Sequence, residues 1–82
     1  MDNYEKIMQR VITALSDIIS VDESTLGEFT MLNQDNGIEL IDLAKLVIEC
    51  EQMFRTVIYD EYVHEFNTIG DLTEYIAKRR DE

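Results

Sequence analysis

The sequence predicts an all-α fold: a bundle of three substantial helices and one short one, tied by a long first loop. Three observations carry that expectation. Apolar residues recur at three- and four-residue steps in three separate stretches, the helical period. No run alternates apolar and polar residues over a useful length, and the chain contains no proline. Its 82 residues make one small domain, 1–82, without the length for a second core. A chain of this size buries only about 60–65% of the surface its unfolded form exposes. A deep catalytic cleft is hard to build on such a frame, and small binding or carrier roles suit it better.

The first helix is expected over 3–19. Tyr4, Ile7, Met8, Val11, Leu15, Ile18 and Ile19 form one stripe, and Asp2 or Asn3 can cap its start. Residues 20–38 lose that period, hold Gly27 and Gly37, and are rich in Ser, Thr, Asp and Asn. They read as a loop, pinned to the core by Leu26, Phe29, Met31 and Leu32. Helical spacing resumes over 39–54, headed by Ile41, with Leu43, Leu46 or Val47, Cys50 and Phe54 behind it. A short helix over 60–65 follows, with Asp60 as its cap. The last is expected over 70–79: Thr68 and Asp71 resemble a capping box, and Ile69, Leu72 and Ile76 form its buried stripe. Lys78, Arg79 and Arg80 then suit the negative end of the helix dipole. The expected core is Ile7, Val11, Leu15, Ile41, Leu46, Val47, Phe54, Ile69, Leu72 and Ile76.

Charge narrows the choice of partner. Seven Lys plus Arg stand against 18 Asp plus Glu, a net −11 at neutral pH. That field repels phosphate backbones and anionic lipid heads, and it favours a basic protein surface. Solubility alone is the bland alternative. With 45% hydrophobic residues, four Tyr and three Phe, the chain has ample material for a core despite its acidity. The opening "MDNYEKIM" shows no export signal, and no apolar run approaches the roughly 20 residues a membrane span needs. One cysteine cannot form an internal disulfide, so a reducing, cytoplasmic setting is expected.

Familiar chemistries fit poorly. A calcium loop with Gly37 at its sixth position would put Leu32 first and Leu43 twelfth, where carboxylates are needed. His64 reads as a surface residue. Cys50, on an inward stripe between Glu49 and Glu51, reads as an inert thiol, since burial and negative neighbours both oppose a thiolate. No serine or threonine has a base placed beside it by sequence, and the glycines are isolated. The chain reads as neither an enzyme nor a metal protein. What remains is the outer surface of 39–54, where Glu39, Asp42 and Glu49 make an acidic strip interrupted by Lys45. Leu40 and Ile48 add apolar area there.

Three segments in order carry a resemblance. "ECEQMF" (49–54), "VIYDE" (57–61) and "NTIGDLTEYI" (67–76) resemble, over nearly the whole chain, the acyl carrier protein family. The first matches the Glu-Xaa-Xaa-Phe end of the family's recognition helix through Glu51 and Phe54. The second matches Ile-Pro-Asp-Glu, with Tyr59 where proline is usual, and the third matches Thr-Val-Gly-Asp-Leu. Counting back from Phe54 without a gap places the family's Asp-Ser-Leu on Glu39-Leu40-Ile41. Asp35 and Gly37 fall on the family's Asp and Gly, and Asn36 stands where leucine is usual.

The resemblance implies a four-helix carrier fold and a docking surface on 39–54, comprising Glu39, Leu40, Ile41, Asp42, Lys45, Ile48 and Glu49. In the family, the serine at the Leu40 position carries 4′-phosphopantetheine; leucine has no oxygen to phosphorylate. Lys45 stands where the family commonly has glutamate. No cofactor is therefore expected. The implied function is non-catalytic: a monomer that docks through 39–54 on basic-surfaced, carrier-recognising biosynthetic enzymes. The alternative is a genuine carrier of acyl, aminoacyl or peptidyl thioesters in fatty-acid, polyketide or related biosynthesis. Its 4′-phosphopantetheine would then sit elsewhere, for instance on Ser16, Ser20 or Ser24, or Leu40 would be an engineered change.

Overall fold

The computed structural model describes residues 3–59 and 65–80, with side chains through Arg79. Over these residues the chain is all-helical: α1 (Asn3–Ile19), α2 (Leu40–Phe54) and α3 (Ile69–Arg80). Short 3-10 turns at Glu23–Thr25 and Gln34–Asn36 punctuate the first loop. The helix bounds agree with the sequence expectation to within a residue. The short helix expected over 60–65 falls, apart from Glu65, outside the described residues, as do Asp2, Asp60 and His64.

α1 buries Ile7, Val11, Ile12 and Leu15 along one stripe, with Met8, Ile18 and Ile19 half-buried beside it. It packs against both other helices. α2 runs antiparallel to α1: Phe54 lies beside Ile7 and Arg10, while Glu49 and Met53 lie beside Arg10–Asp17. α2 contributes Leu43, Leu46, Val47, Cys50 and Phe54, and α3 contributes Ile69, Leu72 and Ile76, to the same core. Full burial of one such side chain contributes about 1.5–3 kcal/mol. These residues are what hold the bundle together.

α3 begins with the expected capping box. The Asp71 amide donates to Thr68 Oγ1 (3.0 Å), and the Thr68 amide donates back to Asp71 Oδ2 (3.1 Å). The Asn67 amide shares that carboxylate oxygen at 3.0 Å. At the far end Arg79 lies over the rings of Tyr59 (5.6 Å) and Tyr75 (5.5 Å), tying the segment after α2 to α3.

Two expectations about the core need correction. Ile41 is not a core residue; it is 64% exposed. The buried face of α2 runs through 43, 46, 47, 50 and 54, and a residue two positions before Leu43 points about 200° away from it. Its expected place in the core is taken by Ile38, just before the helix and only 2% exposed. The loop is also pinned differently from expectation. Leu32 is buried and Leu26 half-buried, but Phe29 and Met31 are exposed. Met31 and Thr68 form a single antiparallel bridge, flanked by the Leu32 amide donating to Asn67 O (2.8 Å) and the Ile69 amide donating to Thr30 O (3.1 Å). Successive residues of extended chain face opposite ways, so seating Leu32 turns Met31 outward.

Candidate functional site

The stretch leading into α2 is a backbone construction. The carbonyl of Asn33 accepts from the amides of Asn36 and Ile38, both at 3.1 Å, and Asn36 Nδ2 donates to Met31 O at 2.7 Å. Gly37 adopts φ +76°, a left-handed conformation that suits glycine, and its amide donates to Gln34 O at 2.9 Å. A Cβ on Gly37 would meet nothing within 4 Å, so backbone conformation and not space explains the residue. The turn delivers Ile38 into the core and leaves Glu39 extended, at φ −87° and ψ 167°, as the cap of α2. Ile38 and Leu43 then occupy the two positions of a hydrophobic staple, and both are buried.

Asp42 closes the first turn: its Oδ2 accepts the Glu39 amide at 3.0 Å. The Leu43 amide donates to Glu39 O at 3.0 Å, opening the helical ladder. Glu39 Oε1 lies 3.4 Å from Gln34 Nε2, a long contact that steadies the carboxylate over the turn. Both acids thus sit where the helix presents unsatisfied amides and positive dipole.

Beyond this start the helix turns a mixed surface outward. Ile41, Lys45, Ile48 and Gln52, spaced by four, three and four residues, make the ridge opposite the buried face, and all are exposed. Ile48 is 54% exposed. Asp42 and Glu49 follow one flank of this ridge, with Glu49 facing a shallow groove of about 220 Å³ that it shares with Arg10, Asp17 and Met53. Leu40 stands on the other flank at the very start of the helix, 75% exposed. The helix therefore brings Ile41, Lys45 and Ile48 together, keeps Glu39, Leu40 and Asp42 at its beginning, and sets Glu49 apart toward α1.

No reactive nucleophile accompanies these residues. No serine, threonine or tyrosine occurs between Thr30 and Thr56. Cys50 is fully buried, as its position on the inward stripe implied, and its thiol is pushed up to about 12 by burial first and then by Glu49 and Glu51. Ser16 is buried with its hydroxyl donating to Thr13 O at 2.9 Å, whereas Ser20 and Ser24 are exposed on the first loop. At the other end of α2, Glu51 Oε2 accepts the Ile58 amide at 2.8 Å and holds Ile58 in the core. Among the described residues no helix is long and apolar enough to cross a membrane, and no group of acidic, histidine or cysteine side chains could hold a metal ion.

Sequence reasoning missed Ile38, Ile58 and Phe66 as core residues. For Ile38 a signal existed: an apolar residue just before a helix cap, with another five positions on, is the staple pattern. No protein-family profile matches the chain. Among curated proteins, the acyl carrier protein of Thermotoga maritima is 33% identical over 79 residues, spanning 96% of this chain and 98% of that relative. At that identity over nearly the full length of both proteins, the chain belongs to the acyl carrier protein family.

Proposed function

We propose that this chain is an armless member of its family, one that works by docking α2 on proteins that ordinarily receive carriers. The observation that carries this reading is Leu40. Counting back from Phe54 by the sequence resemblance assigns it the position of the family's attachment serine, and the side chain is 75% exposed at the first residue of α2. A 4′-phosphopantetheine arm joined as a phosphodiester needs a hydroxyl oxygen, and leucine supplies only carbon and hydrogen. The residues at this position do not fit the group. The family's name speaks of carrying; the side chains here support contact.

Contact would divide its labour along α2. Glu39 and Asp42, held at the helix start, steer a basic partner surface toward the site. Leu40, Ile41 and Ile48 then lose water, each contributing about 0.7–1.5 kcal/mol if half of its side chain becomes covered. Lys45 on the ridge and Glu49 on its flank adjust which partner fits. The chain acts as a single domain and a monomer, since two copies at −11 each repel one another. It performs no chemistry of its own, and the buried thiol of Cys50 fits a reducing cytoplasm.

The test is the intact mass of the purified chain before and after incubation with coenzyme A and a promiscuous phosphopantetheinyl transferase, beside Leu40→Ser. The expected result is that only Leu40→Ser gains the pantetheine mass, and that excess native chain slows that gain by occupying the same transferase. A mass gain by the native chain would locate an arm elsewhere and end the armless reading. Failure to slow the reaction would remove the docking half.

A further inference from the structure

Phe29 is the most exposed large apolar residue described in the chain, at 82%, yet its backbone is firmly held. The Thr30 amide donates to Gly27 O (3.1 Å), and the Gly27 amide donates to Thr30 Oγ1 (2.8 Å), closing a turn with Phe29 at its tip. The turn is fastened to α3 by the Gly70 amide, which donates to Glu28 O at 2.8 Å. It is fastened to α1 by Tyr4, whose hydroxyl donates to Glu28 Oε2 at 2.7 Å. A phenyl ring kept in water on a fixed backbone is an anchor already ordered before contact, so binding loses little conformational entropy there.

Phe29 also lines a recess of about 130 Å³ together with Tyr4, Glu28, Asp71 and Glu74. No basic side chain lines it. Lys78 approaches Glu74 at 3.7 Å, but that pair is exposed and offsets little of the local charge. Tyr4 registers the field. Its phenol is pushed up to about 12, first by the hydrogen bond to Glu28, then by burial, then by the charges of Glu28, Glu74 and Asp71.

We propose that this recess receives an arginine side chain of a basic protein partner, its guanidinium stacked on Phe29 and facing Glu28, Asp71 and Glu74. A planar cation that stacks on a ring and forks onto carboxylates matches this lining better than the compact, strongly hydrated ammonium of lysine. The carboxylates are not grouped so as to hold a metal ion. At −11, the chain repels nucleic acid, anionic lipid and a second copy of itself. The chain already uses the same chemistry internally, where Arg79 lies over Tyr59 and Tyr75. The recess adjoins the start of α1, where antiparallel α2 ends, so it is separate from Leu40. It stands whether or not α2 docks as proposed.

The experiment titrates hexa-arginine and hexa-lysine peptides into the ¹⁵N-labelled full chain and into Phe29→Ala, following amide shifts by NMR. Hexa-arginine should bind the native chain about two- to fivefold more tightly than hexa-lysine, moving the amides of Glu28, Thr30, Gly70 and Asp71. Phe29→Ala should remove that preference while its spectrum elsewhere stays native. Equal affinities for the two peptides in the native chain overturn the proposal. So does an arginine preference that survives Phe29→Ala.

Discussion

Replacing Tyr4 by phenylalanine should both destabilise the protein and abolish a specific part of its alkaline sensitivity. The hydroxyl of Tyr4 donates to the Glu28 carboxylate at 2.7 Å, a charge-assisted bond between α1 and the first loop. Such a bond contributes about 1.5–3 kcal/mol when shielded, and about 1–2 kcal/mol here because both groups keep some contact with water. The same contact raises the phenol from 10.0 to about 12. Because folding raises this pKa, the stabilisation is complete below about pH 10 and drains away as pH rises through 12. By pH 11 the native chain should have lost about 1 kcal/mol that Tyr4→Phe does not lose, after allowing for the partial exposure of the ring. Urea denaturation of both proteins at pH 8 and pH 11 measures this directly, because the ionisation of lysines and other tyrosines is a common background. Native protein and variant should differ at pH 8 and converge toward pH 11. A gap that stays constant across this range would refute the coupling between Tyr4 and Glu28.

Four further outcomes follow from the packing. Leu46→Ala should cost about 2–5 kcal/mol, while Ile41→Ala, on the opposite side of the same helix, should change stability by no more than about 0.5 kcal/mol; similar losses in urea midpoints would contradict the facing of α2. Gly70→Ala gains about 1 kcal/mol of helix propensity at most, but its Cβ would come within 2.8 Å of Glu28 Cγ and 3.0 Å of Glu28 O. A net loss of about 1 kcal/mol is expected, and a more stable variant would sink this close approach. Cys50 should resist iodoacetamide at pH 8 in the native protein and react promptly in urea; fast native labelling would mean that the thiol is accessible. Lys45→Glu should tighten binding to generic carrier-recognising enzymes severalfold in a calorimetric titration, and an unchanged affinity would count against the α2 surface.

The helices were legible in the sequence because each carries a full apolar stripe: Ile7, Val11 and Leu15 in α1, Leu46, Val47 and Phe54 in α2, Leu72 and Ile76 in α3. The capping box at Thr68 and Asp71 was equally readable, since it is a local pattern with a local cause. Ile41 misled because an apolar residue at a helix start looks like the head of the stripe; only the phase set by Leu43 shows that it faces out. Phe29 misled for another reason. Loop residues have no period, so their direction depends on hydrogen bonds to distant chain, here from Gly70 and Tyr4, that no local pattern encodes. The exposure of Leu40, Lys45 and Ile48 was readable from helical position, but Glu49's turn toward α1 depends on how the helices cross and was invisible until they were packed.

The capped start of α2 bears on how this surface could change over time. Asp42 is at once a charge that a partner could read and the acceptor that completes the helix at the Glu39 amide. Exchanging it to suit a new partner would also loosen the first turn, at a cost of about 0.5–2 kcal/mol. Lys45 and Ile48 sit further along on solvent-facing ridge and carry no such structural duty. Under the docking proposed for α2, retargeting is therefore cheap along the ridge and expensive at its head. A lineage or an engineer seeking new recognition would find room to explore at Lys45 and Ile48 while Asp42 stays anchored.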